Sequence, residues 1–228
     1  MKEDICTIPV TDIFEENCGC PICRMKEKLE LRALDYILGA AMMEPDVRIV
    51  TNKVGFCGKH LEYMSDKKGG LPIALMLETH LAEIEEKAFS SVNKDAKKIS
   101  PFLKSCFVCE KVNREMERMT ETIYITFEKD KDFREMVLSQ KYICLPHFEM
   151  LLSGVPKSKL KKYKSEFCKG ISEIAHNNLK EIRNDLQHYA SMFDYRNNGS
   201  DADWGNSKTA ICRAVNFLDR KTEKMENR

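Results

Sequence analysis

Cysteine and histidine are the residues of this sequence whose spacing can do chemistry. Cys20-Pro-Ile-Cys23 is followed, after 33 residues, by Cys57-Gly-Lys-His60. Cys106-Phe-Val-Cys109 is followed, after 34 residues, by Cys144-Leu-Pro-His147. The second set keeps the ligand order of the first, with offsets of 86, 86, 87 and 87 residues. Three thiolates and one imidazole are soft donors that suit a tetrahedral zinc ion. The spacing predicts two such sites, hence two zinc ions per chain. One would use Cys20, Cys23, Cys57 and His60, the other Cys106, Cys109, Cys144 and His147.

Other chemistries fit less well. Haem attachment needs a histidine directly after the second cysteine, and Arg24 stands there. Cys-Pro-Ile-Cys looks like a thioredoxin-type motif, but that chemistry wants a βαβ setting that the pattern lacks. A four-ligand site is closed, which argues against hydrolytic zinc catalysis. Buried free thiols with core histidines are the bland alternative, and two matching quartets weigh against it. Register favours Cys20 over Cys18 as a ligand, while Cys6, Cys168 and Cys212 stand isolated. Asp46-Val-Arg48 and Asp132-Phe-Arg134 recur at the same offset of 86. They read either as groups steering the ligands from behind or as surface ion pairs. His80, His176 and His188 read as structural.

Helices must position these donors. A Cys-x-x-Cys turn at a helix N-terminus places thiolates against free amides and the positive end of the dipole. Cys-x-x-His on a helix puts both donors on one face. Apolar spacing predicts a helix from the Cys-Pro-Ile-Cys turn through Ala40, a short one through Arg48 ended by Gly55, one over 57–66 and one from Ile73 to about Val92. Residues 1–17 read as a lead-in strap and 93–104 as a connector. The second half predicts a helix carrying Val108 to Phe127, a short one through Arg134 capped by Asp130, and one opening at Cys144. A long helix from Lys157, a polar loop over 196–206 and a last helix over 207–219 complete it. No stretch alternates as a strand does. The expected fold is all-α, built by duplication, with zinc-binding helical repeats at 1–92 and 105–195 and a terminal segment, 196–228, packed on the body.

Composition agrees. Hydrophobic residues make up 43% and charged residues 32%, enough for a real core, and the formal charge of +1 draws the chain to neither nucleic acid nor lipid. The N-terminus lacks a secretory pattern and no apolar run approaches a membrane span, so the expected address is cytoplasmic. Five lysines between Lys157 and Lys164 form either an anionic docking patch or a solvated helix start. Trp204 lies in the polar loop, as a recognition surface or a lid on the core.

Several of these motifs resemble a clostridial-type bacterial family described only as a domain of unknown function. They are Cys-Pro-Ile-Cys, Gly55-Phe56-Cys57-Gly-Lys-His60, Phe193-Asp194-Tyr195-Arg196-Asn197 and Asn206-Ser207-Lys208 through Arg213-Ala214. The resemblance implies a cytosolic bacterial protein and carries no activity with it. The pairing of Cys-x-x-Cys with Cys-x-x-His also looks in part like zinc-ribbon or treble-clef geometry, without the β-hairpin. The expected function is non-enzymatic: a zinc-binding interaction or regulatory module with a protein partner. The alternatives are a thiol or zinc redox sensor or oxidoreductase, and a nucleic-acid binder using Lys157 to Lys164.

Overall fold

The computed structural model describes residues 8–16, 19–67, 70–89, 96–194 and 203–218. Among these residues there are eleven α-helices and no strand. They are α1 (Ile8–Glu15), α2 (Pro21–Leu38), α3 (Pro45–Val54), α4 (Gly58–Asp66), α5 (Gly70–Ile84), α6 (Ala96–Lys104), α7 (Phe107–Lys129), α8 (Lys131–Leu138), α9 (Leu145–Gly154), α10 (Lys164–Ser191) and α11 (Ala210–Leu218). Cys6 and Cys18 lie outside the described residues, as do most of the polar loop and the tail beyond Leu218.

The chain gathers into two compact units. One is Met1–Met25 with Met119–Arg228, and the other is Lys26–Arg118. This division differs from the sequence boundaries at 1–92, 105–195 and 196–228, because α2 and α7 each begin in one unit and end in the other.

In the discontinuous unit, α10 buries Phe167, Ile171, Ile174, Ala175 and Ile182 at helical spacing. Tyr124 and Phe127 of α7 meet Phe167 edge-on, at 5.5 and 4.9 Å between ring centres. Residues 8–15, expected within a strap, are helical instead. Val10, Ile13 and Phe14 are buried, and Phe14 packs edge-on against Phe133 of α8 at 5.4 Å. Tertiary packing overrides the weak pattern of that short helix.

The long helix starts at Lys164, not Lys157. Glu128 supplies the reason: its carboxylate accepts backbone N–H groups from Lys161, Lys162 and Tyr163 at 2.9, 3.0 and 3.4 Å. Those amides are thereby held out of a helix, and the hydrogen bonds from Lys162 and its neighbours keep the carboxyl below its ordinary range. Arg213 ties α11 back to α10 through Glu181 at 3.0 Å and through Asp185. Trp204 stacks edge-on with Tyr189 and Phe193.

In the contiguous unit, α3 and α5 pack together. The Arg48 guanidinium donates to the Leu75 carbonyl and to Thr79 Oγ1, both at 2.8 Å. The expected connector is helical over Ala96–Lys104 despite Pro101 within it. Phe102 of this helix meets the His80 ring at 5.8 Å. Ser105 Oγ donates to the carbonyls of Pro101 and Val54, both at 2.8 Å, and so joins α6 to α3.

Candidate metal centre

The eight expected donors converge into two groups of four, though not the groups the spacing predicts. Cys20 and Cys23 meet Cys144 and His147, while Cys57 and His60 meet Cys106 and Cys109. Within each group the ligand atoms all lie within 4.8 Å of one another. The expectation that each half closes its own site is corrected: every group takes its Cys-x-x-Cys from one half and its Cys-x-x-His from the other. The groups are nested along the chain, so we call Cys57, His60, Cys106 and Cys109 the inner site and the other four the outer site.

A long helix follows each Cys-x-x-Cys. From Cys20 the chain enters an 18-residue helix, and from Cys106 a 23-residue one. At 1.5 Å per residue these carry it about 27 and about 35 Å before it can turn. The next Cys-x-x-His joins the Cys-x-x-Cys of the other half.

All four leading cysteines stand immediately before a helix. Cys57 and Cys144 are N-caps of α4 and α9 with extended backbones. Cys20 and Cys106 precede α2 and α7, and their carbonyls accept the first helical hydrogen bonds, from Arg24 and Glu110. Each site is thus closed by two helix N-termini, whose unpaired amides and dipoles favour thiolate. In the outer site Sγ of Cys144 lies 3.6 Å from Cys23 and 3.7 Å from Cys20. His147 Nδ1 is 3.6, 3.2 and 3.2 Å from Cys20, Cys23 and Cys144. In the inner site His60 Nδ1 is 3.2, 3.3 and 3.5 Å from Cys57, Cys106 and Cys109.

Among themselves the donors share protons unevenly. Burial disfavours a charged His147, yet hydrogen bonds to the Cys144 and Cys23 sulfurs raise it to about 9. His60, likewise buried, is raised to about 9 by Cys106 and Glu30. Burial would lift Cys106, but the His60 hydrogen bond brings it down to about 6, while burial and the neighbouring Cys106 push Cys109 up to about 12. Hydrogen bonds from Cys144 and Cys20 lower Cys23, and the reciprocal bonds raise Cys20.

The segments leading into the sites are fixed from outside. Gly55 has φ 65° and ψ −157°, a region open essentially to glycine alone, and a Cβ there would collide with the His80 ring. Its carbonyl accepts from the Phe107 N–H at 2.9 Å, which joins the approach to Cys57 with the helix start after Cys106. His80 itself donates through Nδ1 to the Asn52 carbonyl at 2.6 Å. In the outer site the buried Asn178 of α10 takes the equivalent part. Its Oδ1 accepts from Ile143 N–H at 3.0 Å and its Nδ2 donates to the Lys141 carbonyl at 2.7 Å, setting the backbone just before Cys144.

Glu30 was not among the candidates. It is 8% exposed on α2, accepts from Lys59 Nζ at 2.8 Å and stands 3.7 Å from His60 Nε2, the imidazole nitrogen facing away from the sulfurs. Burial would raise its pKa, but His60 and Lys59 hold it at about 2. At that distance the carboxylate is an electrostatic neighbour of the imidazole and not its hydrogen-bond acceptor, and such a charge raises the basicity of a ligating imidazole. Glu30→Gln is expected to weaken the inner site for zinc by about 10- to 100-fold and leave the outer site unchanged. Chelator competition with the two sites resolved checks this; equal weakening of both would refute it.

The Asp-x-Arg pairs serve elsewhere. Arg48 clamps α3 to α5, as above. Arg134 donates to the Phe127 carbonyl at 3.0 Å near the end of α7 and stacks on the Tyr163 ring at 3.8 Å. Asp46 and Asp132 sit exposed in the first turns of α3 and α8. Asp130 caps α8 as expected, accepting from Phe133 N–H at 3.1 Å. No described helix is long and apolar enough to cross a membrane.

The family model that matches this chain is described as "Family of unknown function (DUF6062)" and covers residues 1–225, so the chain belongs to that family. No curated protein and no solved structure matches it.

Proposed function

We propose that this DUF6062 protein is a non-enzymatic module that holds two structural zinc ions and presents its helices to a protein partner. The single observation that carries the reading is the convergence of eight donors into two closed quartets. The edge lengths support zinc. With Zn–S of about 2.3 Å and Zn–N of about 2.0 Å, a tetrahedron has S–S edges of about 3.8 Å and S–N edges of about 3.5 Å. The sulfur pairs Cys23–Cys144, Cys20–Cys144 and Cys57–Cys109 stand 3.6, 3.7 and 3.9 Å apart, and the sulfur–nitrogen pairs 3.2 to 3.6 Å. A disulfide, at about 2.05 Å, is far shorter.

Four protein ligands leave no coordination position for water, which favours a structural role over hydrolysis. The ions tie distant segments, with Cys23 and Cys144 121 residues apart and His60 and Cys106 46 apart. The matched spacing of the ligand pairs supports an origin by duplication, in which the copies exchanged half-sites.

A protein partner is favoured over nucleic acid by exposed apolar side chains on α5: Leu71, Leu75 and Leu81 are 67, 37 and 60% exposed. The lysine-rich stretch, by contrast, has three of its amides engaged by Glu128.

Elemental analysis of protein purified without added metal is expected to give two zinc atoms per chain. A metal-free sample that stays folded would overturn the reading.

A further inference from the structure

The two sites differ in which residue type is less buried. In the outer site the sulfurs of Cys20, Cys23 and Cys144 belong to residues 5, 5 and 1% exposed, and the imidazole of His147 is the half-buried member. The inner site is the reverse. His60 is 1% and Cys106 5% exposed, whereas Cys57 and Cys109 are both half-buried. Those two sulfurs lie 3.9 Å apart, and they come from the two segments that the site joins.

We propose that Cys57 and Cys109 form a peroxide-oxidisable pair whose coupling into a disulfide releases the inner zinc while the outer zinc stays bound; this rests on the zinc reading above. Oxidants act on sulfur, and attack follows thiolate character together with access. A zinc-bound thiolate is electron-rich, so access decides between the sites. At the outer site all three cysteines are buried and only the histidine is half-buried, whereas at the inner site two cysteines are half-buried.

The step balances as follows. One of the two thiolates attacks a peroxide oxygen, an S–O bond forms, the O–O bond breaks, and hydroxide leaves and is protonated to water. The second thiolate attacks the resulting sulfenyl sulfur. The S–S bond forms and the S–O bond breaks, and the departing hydroxide is again protonated. Two electrons pass from the sulfurs to one hydrogen peroxide, two protons are consumed and two waters result. Zinc stays divalent throughout. It is left with Cys106 and His60 alone, too few donors to hold it.

The remaining described thiols do not share this arrangement. Cys168 is half-buried and Cys212 exposed, and each stands outside both quartets. They can take a peroxide oxygen without releasing metal.

The test uses the full chain as purified, with its zinc counted first. It is treated with hydrogen peroxide in slight excess while released zinc is followed with a metallochromic indicator and thiols are mapped by alkylation and mass spectrometry. One zinc per chain is expected to leave at least about tenfold faster than the other, together with a Cys57–Cys109 disulfide. Release of both ions at one rate, a disulfide joining any other pair, or no release at all would overturn the proposal while leaving the zinc reading intact. A sample with no zinc at the outset would remove both.

Discussion

A chain carrying Cys23→Ser together with Cys57→Ser is expected to hold no zinc, whereas Cys23→Ser together with Cys144→Ser is expected to keep one ion. Both variants lose two thiols, so general damage is matched and only the grouping differs. In the exchanged arrangement the first pair takes a ligand from each site and the second takes both from the outer site. Sites closed within each half would give the opposite result, one ion for the first variant and none for the second. Metal analysis of the two proteins purified in parallel decides between them. The effect is large, because a structural zinc contributes on the order of 10 kcal/mol of binding free energy, comparable to the whole stability of a domain. Loss of helical circular dichroism should therefore accompany each lost ion, in part for the second variant and more fully for the first.

The donors were legible because ligand chemistry is local. Side-chain type and a three-residue spacing at a helix start can be read without knowing where the rest of the chain goes. The grouping was not legible, since the order Cys-x-x-Cys, Cys-x-x-His, Cys-x-x-Cys, Cys-x-x-His allows either pairing. What chooses is tertiary packing remote from the motifs themselves.

The same division runs through the other differences. Glu128 sets the start of α10 from 33 residues upstream of Lys161, and no window centred on Lys157 contains it. Asn178 fits an apolar stripe by position, and its work as a clamp on Lys141 and Ile143 becomes visible only when α10 lies beside that segment. Glu30 is one of many acidic residues on helix surfaces until Lys59 and His60 arrive next to it, 29 residues away along the chain in the case of Lys59. Residues 96–104 carry a proline and three lysines, which read as a connector, yet Phe102 and Ser105 hold them in a packed helix. In each case a polar group is placed by a partner remote in sequence, and periodicity does not encode it.

Residues 26–118, expressed alone, are expected to take up one equivalent of zinc and to gain most of their helical signal on doing so. This segment is the contiguous unit, and it contains all four inner donors as well as Glu30. The outer donors lie on both sides of it, so the outer site can close only across the whole segment. With the chain unfolded, bridging the 121 residues between Cys23 and Cys144 costs about 1 kcal/mol more loop entropy than bridging the 46 between His60 and Cys106. The inner site is therefore the natural first closure. Without metal the fragment should be poorly folded, since the binding free energy of a structural zinc is comparable to the whole stability of a domain. Titration with zinc followed by circular dichroism checks the expectation, with Cys57→Ser in the same fragment as the control that should not respond. A fragment that remains unfolded in excess zinc would show that the inner site needs the discontinuous unit around it, and the order of assembly inferred here would fall.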